Sequence, residues 1–408
     1  YNAKIETKLD RLQSPWLLTI TVTPNEPVSV AKVDIAVTGE AKLEPNFEEI
    51  LQQNPIKAGQ PLNQVDYESL KSSLFNEGLE LGYFDGQLTH NNIEVNKSEN
   101  TANVILHYNS GNRYRFGDVQ FDEIELEPWI MDILTPFKKD DQYEAAKLLK
   151  LQNQLQQSRY FSAIAIRPQL DSANDHQVPI KVTYKPAKQH YFDVGIGYAT
   201  DTEERLSFGW RMPKINRFGH SLSTKLIYSP SNPTGKFSYN IPLTHPYNDI
   251  LQIGLRLEDD DFGALESKQY EAKISRVRHV EGWIRTSYLR FMREQWQLNG
   301  ETFDANYWLP GFTWSRTTKS GSALDPSNGF SQMYMIEGTD PAIGSDIRVA
   351  HLSSKFKYVN RFAYNHRFVG KAQFGISQVA SDERALLAPS LRFFAGGDQS
   401  IRGFAYQS

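Results

Sequence analysis

The segment LRFFAGGDQSIRGFAYQS, residues 391–408, holds the densest set of residues able to form a site. Gly396, Gly397 and Gly403 open backbone conformations closed to other residues. Arg402 stands between Ile401 and the pair Gly403-Phe404, in a loop rich in aromatics. A guanidinium buried without a partner is expensive, so a folded-in loop calls for an internal carboxylate opposite Arg402. A solvated arginine on an exposed loop fits the same residues, and the spacing alone leaves both readings open. A second candidate is the run HYFDVGIGYAT at 190–200, where Phe192, Val194, Ile196 and Tyr198 alternate with Asp193, Gly195 and Gly197. Gly195 and Gly197 weaken such a strand and thin the wall it forms. The same glycines could instead relieve crowding in a curved sheet.

Covalent chemistry finds little footing. The nine histidines are scattered without zinc-ligand spacing, and cysteine is absent, which removes thiolate nucleophiles, thiolate metal sites and disulfides. Gly195-Ile196-Gly197 lacks the third glycine of a dinucleotide loop, and no Walker loop or G-x-S-x-G elbow occurs. The acidic run Glu258 to Asp261 reads as a solvated loop before a calcium site. The expectation is a protein without catalytic residue, cofactor or metal, hence not an enzyme. With 44 Lys and Arg against 48 Asp and Glu, no basic excess exists to neutralise phosphates, so a nucleic-acid partner is not expected.

Two textures of sequence must position these candidates. Residues 1–189 mix helical and strand periods, and DYESLKSSLFNEGLELGYFDG (66–86) is echoed by YEAAKLLKLQNQLQQSRYFSA (143–163). The periodicity predicts an apolar helix face of Leu70, Leu74, Leu79 and Leu81 with Tyr83 in the first copy, and of Leu148, Leu151 and Leu155 in the second. Tyr83, Phe84, Tyr160 and Phe161 read as core aromatics. Each copy carries a strand and a short helix before this segment and two strands after it, giving an α+β unit of strand, helix, helix, strand, strand. The expected divisions are 27–110 and 111–187 for two copies, with 1–26 as the closing remnant of an earlier one.

From 188 to 408 the helical period vanishes, and eleven alternating runs of about ten residues follow, the length that crosses a bilayer as a tilted strand. No apolar stretch is long enough for a spanning helix, and the mean hydropathy of −0.52 suits a barrel as well as a soluble domain. A soluble sandwich would use shorter strands. Tyr191, Trp210, Trp283, Trp296, Tyr307, Trp308 and Trp314 fall toward strand ends, as an aromatic girdle requires, and Arg256, Lys273 and Arg285 are expected to face a watery lumen. An odd strand count, and an opening without initiator Met or signal peptide, read as a mature or partial chain whose barrel stops before closing.

The repeat, with its Gly-Tyr-Phe and Arg-Tyr-Phe steps, resembles POTRA (polypeptide-transport-associated) domains. The run FFAGGDQSIRGF, together with YNSGNRYRFGDVQF, YFDVGIGYATD and GHSLSTKLIYSP, is similar to the translocation and assembly module branch of the POTRA-bearing outer-membrane assembly barrels. The resemblance implies α+β POTRA repeats followed by an antiparallel transmembrane β-barrel of sixteen strands, about 11 of them in this chain, in the Gram-negative outer membrane, with POTRA domains in the periplasm. It implies that Ile401, Arg402, Gly403 and Phe404 form the loop-six motif. It also makes the first barrel strand, with Tyr191, Phe192, Val194, Gly195, Ile196, Gly197 and Tyr198, one side of a lateral gate. Expected partners are client outer-membrane proteins and autotransporters, outer-membrane lipid, and an inner-membrane-anchored partner. A passive secretion pore of the two-partner type, phospholipid transport and a soluble multidomain protein are the competing readings.

Overall fold

The computed structural model describes residues 3–11, 15–24, 26–123, 125–199, 203–262, 265–298, 300–322, 324–363 and 366–392. The loop-six residues Ile401, Arg402, Gly403 and Phe404 lie outside them. Two compact units form. One comprises Tyr1–Asp122, Thr135–Asn153 and Ala165–Thr183, the other Glu123–Leu134, Gln154–Ile164 and Tyr184–Ser408.

In the first unit, β1 (Lys4–Asp10) and β2 (Leu17–Thr23) pair antiparallel. The POTRA-like α/β region follows with β3 (Ser29–Thr38), α1 (Pro45–Gln52), α2 (Gln64–Leu81), β4 (Gln87–Asn96) and β5 (Thr101–Asn109). β5 is central, parallel to β3 and antiparallel to β4. Its alternate residues Ala102, Val104, Leu106 and Tyr108 are all buried, as a central strand under two helices demands. The side chain of Asn63 caps α2 by accepting from the Val65 N–H at 3.0 Å, and Gly82, at φ 87°, ends it in the left-handed region.

Leu70 and Leu74 occupy the buried face of α2 as the periodicity requires, whereas Leu79 is exposed. Gly78 takes the inner position instead, because Tyr108 fills the space where a larger side chain would sit. A Cβ there would fall on the Tyr108 hydroxyl. Gly78→Ala gains about 1 kcal/mol of helix propensity but overpacks the core, an effect of about 1–3 kcal/mol. A net loss of stability in denaturant titration is the expected outcome, and a gain would place Tyr108 elsewhere. Burial pushes the pKa of Tyr83 up to about 12, and its hydroxyl donates to Glu44 at 3.2 Å.

The second copy consists of β6 (Arg115–Phe121), α3 (Pro128–Leu134), α4 (Ala145–Ser158), β7 (Phe161–Pro168) and β8 (Gln177–Pro186), with sheet order β6-β8-β7. Leu151 and Leu155 are buried on α4, and Tyr160 just after it, while Leu148 is half-buried. Phe84 is not a core residue of the first copy. It packs edge-on against Tyr114 and Tyr143, at 5.3 and 4.8 Å, where the copies join. Arg113 fastens the same junction, donating to Glu44 Oε1 at 2.7 Å and to the Leu81 carbonyl at 3.0 Å.

The second unit holds one antiparallel sheet. Its strands are β9 (Tyr191–Ala199), β10 (Glu203–Met212), β11 (Ser221–Tyr228), β12 (Thr234–His245), β13 (Asp249–Phe262), β14 (Leu265–Val280), β15 (Trp283–Leu298), β16 (Glu301–Gly321), β17 (Pro326–Thr339), β18 (Val349–Ala363) and β19 (His366–Val379). They pair in sequence order, and β9 and β19 are the two edges among the described residues. One face carries Ile196, Phe208, Leu226, Leu255, Ile274, Leu289, Phe312 and Leu352, all exposed. Such a continuous apolar face suits lipid, not water.

The opposite face is polar, and Arg256 and Lys273 lie on it as expected. Arg285 does not. It pairs in register with Arg278 and Trp314, and the period of two turns it away from Tyr288, Arg290 and Met292. Trp296 and Tyr307 also depart from the girdle pattern. Both are buried on the polar face in a cluster with Met292, Leu309, Val349, Ala388 and Leu391. The segment after β19 covers them there, where a girdle would leave them facing lipid. In the same unit, the Tyr160 hydroxyl donates to the Gly219 carbonyl at 3.0 Å, and the Glu127 N–H to the Arg217 carbonyl at 2.9 Å. No helix among the described residues is long and apolar enough to cross a membrane, which says nothing of a β-barrel.

Candidate functional site

The site is built on the side of β9 that pairs with no strand among the described residues. Nine residues pair on one side only, with β10, in the register Tyr191↔Arg211 to Ala199↔Glu203. Phe192, Val194, Ile196 and Tyr198 point to the apolar face with 62 to 84% exposure, and Ile196 is the most exposed. The polar face carries Asp193, which accepts from Arg211 Nη2 at 3.4 Å, then Gly195 and Gly197.

The surroundings of the two glycines differ. A Cβ at Gly197 would meet nothing within 4 Å, and one at Gly195 would meet only the Ser207 side chain. Crowding therefore does not require glycine at 197. At Gly195 a Cβ would lie 2.6 Å from Ser207 Oγ, so that side chain would have to shift. Gly197→Ala is expected to change barrel stability by less than about 0.5 kcal/mol. A thermal unfolding shift well beyond that would return the crowding explanation.

Further along the polar face stands an ionic cluster that sequence reasoning missed. Arg290 donates from Nη2 to Glu337 Oε1 at 2.7 Å, from Nε to Glu337 Oε2 at 3.2 Å, and from Nη1 to Glu271 Oε2 at 3.0 Å. The Tyr288 hydroxyl donates to Glu337 at 2.7 Å, and Lys273 Nζ sits 4.0 Å from the Tyr288 ring centroid. Glu337 is 2% exposed at its side chain, so its charge depends on these donors. The alternation of β14, β15 and β17 could have put these groups on one face, but nothing in the sequence pairs residues 47 apart.

A second cluster anchors the chain leading toward residues 401–404. Tyr307 donates to the Leu386 carbonyl at 2.5 Å and accepts from the Ala388 N–H at 3.0 Å. Glu294, buried, accepts from Ser267 Oγ at 2.7 Å, from the Ser390 N–H at 3.2 Å and from the Ser390 hydroxyl. These bonds pin 386–390 against the polar face. Tyr307→Phe leaves the Ala388 N–H and Leu386 carbonyl without that partner, for an expected loss of about 1–3 kcal/mol visible as a lower unfolding temperature. No loss would mean the segment is held elsewhere.

The model of the Omp85 superfamily domain matches residues 188–408, more than half of the chain. Among solved structures, BamA from Haemophilus ducreyi lacking POTRA domains 1–3 superposes with a TM-score of 0.74 at 15% identity, over 93% of this chain and 76% of that one. CdiB from Acinetobacter baumannii gives 0.48 at 15% identity, over 94% and 74%. CdiB from Escherichia coli gives 0.46 at 12% identity, over 94% and 73%. The first of these likenesses is one of fold.

Proposed function

The chain belongs to the Omp85 superfamily, and from that premise we propose that it inserts client β-barrel proteins at the free edge of β9. A Gram-negative outer-membrane β-barrel with periplasmic POTRA domains, serving protein assembly or secretion, is the general role of this superfamily. The finer reading is a translocation and assembly module subunit, TamA, acting on autotransporters and other outer-membrane proteins with TamB as its inner-membrane-anchored partner. The sequence segments 108–121, 191–201, 219–230 and 391–408 support it.

The observation that carries the insertion role is the β9 edge itself. A strand that pairs with β10 alone among the described residues, thin on its polar face and apolar on the other, can act as a template for an incoming strand. The client strand would pair by backbone hydrogen bonds while its apolar side chains meet lipid. No covalent step is involved, only a lower barrier to strand insertion. The lateral gate then comprises Tyr191, Phe192, Val194, Gly195, Ile196, Gly197 and Tyr198.

The chain has no cysteine, so single cysteines from Tyr191 to Ala199 can be paired with cysteines in the last strand of a nascent autotransporter. Disulfides that follow one register and vanish without client are the expected result. A folded barrel that gives none, while cysteines on the POTRA edges do crosslink, would overturn insertion at β9 in favour of a secretion pore or phospholipid transport.

A further inference from the structure

Cross-strand register places Asp193, Gly209, Lys225, Lys236, Arg256 and Glu271 in one row on the polar face, from β9 inward. Lys225 and Lys236 are directly opposed, and Lys236 is directly opposed to Arg256. Like charges facing each other across strands are destabilising. The nearby carboxylates are already engaged: Asp193 with Arg211, Glu258 with Arg256, and Glu271 with Arg290. Among the described residues no ion pair reaches Lys225 or Lys236. Arg211 and Lys273 face the same cavity of about 780 Å³, which makes five cations against the two carboxylates of Asp193 and Glu271.

We propose that this row binds the phosphate of an anionic phospholipid headgroup. An anion between the lysine heads turns the mutual repulsion into attraction. Among the described residues only Asp193 and Gly209 precede Lys225 in the row, so the floor on the β9 side is low. Beyond the edge, Phe192, Val194, Ile196 and Tyr198 present an exposed apolar face. One amphiphile satisfies both surfaces, with its phosphate on the lysines and its chains against β9. An acidic peptide would satisfy only the first. The inference rests on the reading of the sheet as an outer-membrane wall.

The test uses the full protein in zwitterionic detergent, with lipid binding followed by native mass spectrometry and thermal unfolding. The probes are dihexanoyl phosphatidylglycerol, dihexanoyl phosphatidylcholine, inorganic phosphate and a polyglutamate peptide. Lys225→Gln/Lys236→Gln is expected to weaken phosphatidylglycerol binding at least tenfold and to leave phosphatidylcholine unchanged. Lys236→Gln alone should fall between the double variant and the parent. Lys355→Gln/Lys357→Gln, which removes the same charge from β18, should bind like the parent. Without lipid the Lys225→Gln/Lys236→Gln protein should unfold no earlier than the parent, because a repulsion has been removed. Equal weakening in both double variants would overturn the site in favour of a diffuse field. Phosphate displacing phosphatidylglycerol at equal concentration would make it a free-anion site, and tighter binding of polyglutamate would make it a peptide site. A protein that stays soluble without detergent would defeat the membrane reading itself, separately from the headgroup site.

Discussion

Arg290→Met is expected to destabilise the barrel sheet by about 3–5 kcal/mol, the cost of stranding buried charge. Arg290 is the shared donor of two acids on different strands, Glu271 on β14 and Glu337 on β17. Without it, Glu337 keeps only the Tyr288 hydroxyl, and Glu271 loses its ion pair. Methionine preserves most of the stem volume, so the effect reads charge more than cavity. The temperature at which the barrel loses its compact mobility on a denaturing gel measures it. Combining Arg290→Met with Glu271→Gln and Glu337→Gln should recover most of the loss, since the acids no longer need a counter-charge. A small effect of the single change would mean that water reaches the cluster and solvates it.

Leu255→Arg is expected to cost about 2–4 kcal/mol, whereas Gln252→Arg on the same strand should cost little. Both lie in β13, well inside the sheet, but on opposite faces. Leu255 is 51% exposed on the apolar face, and Gln252 lines the polar cavity. In a water-exposed sheet the ranking would invert, because replacing an exposed leucine by a charge is then harmless. Refolding into lipid vesicles with equilibrium denaturation distinguishes the two, and equal effects of both substitutions would remove the membrane assignment of the apolar face.

Eleven strands were legible because each is a long run with a period of two, bounded by turn residues, and the period also places Ile196 and Leu255 on one face. The α+β copies were legible because their helices carry leucines at helical spacing. Leu79 broke that pattern for a tertiary reason: Tyr108, from a strand 30 residues on, claims the helix face at Gly78. Trp296 and Tyr307 misled in the same way. An aromatic near a strand end looks identical whether it meets lipid or the returning chain at 386–391, and only the tertiary path of that chain decides. The Arg290 cluster was invisible because alternation tells which face a residue takes and not which residue on another strand it meets. Arg285 shows the limit from the other side, since a charge on a strand was assigned by its polarity when its parity points outward.

The strands are of very unequal length. β16 runs for 21 residues, while β9, β10 and β11 run for 9, 10 and 8. At about 3.3 Å per residue and a tilt near 40°, the short ones rise only about 20–25 Å, close to the apolar band of about 25 Å of an outer-membrane barrel. The wall at β9 therefore only just spans that band, whereas the long strands rise well beyond it. Any mismatch with a thicker bilayer then falls first on β9, β10 and β11, at fractions of a kcal/mol per Å, and hardly on the long strands.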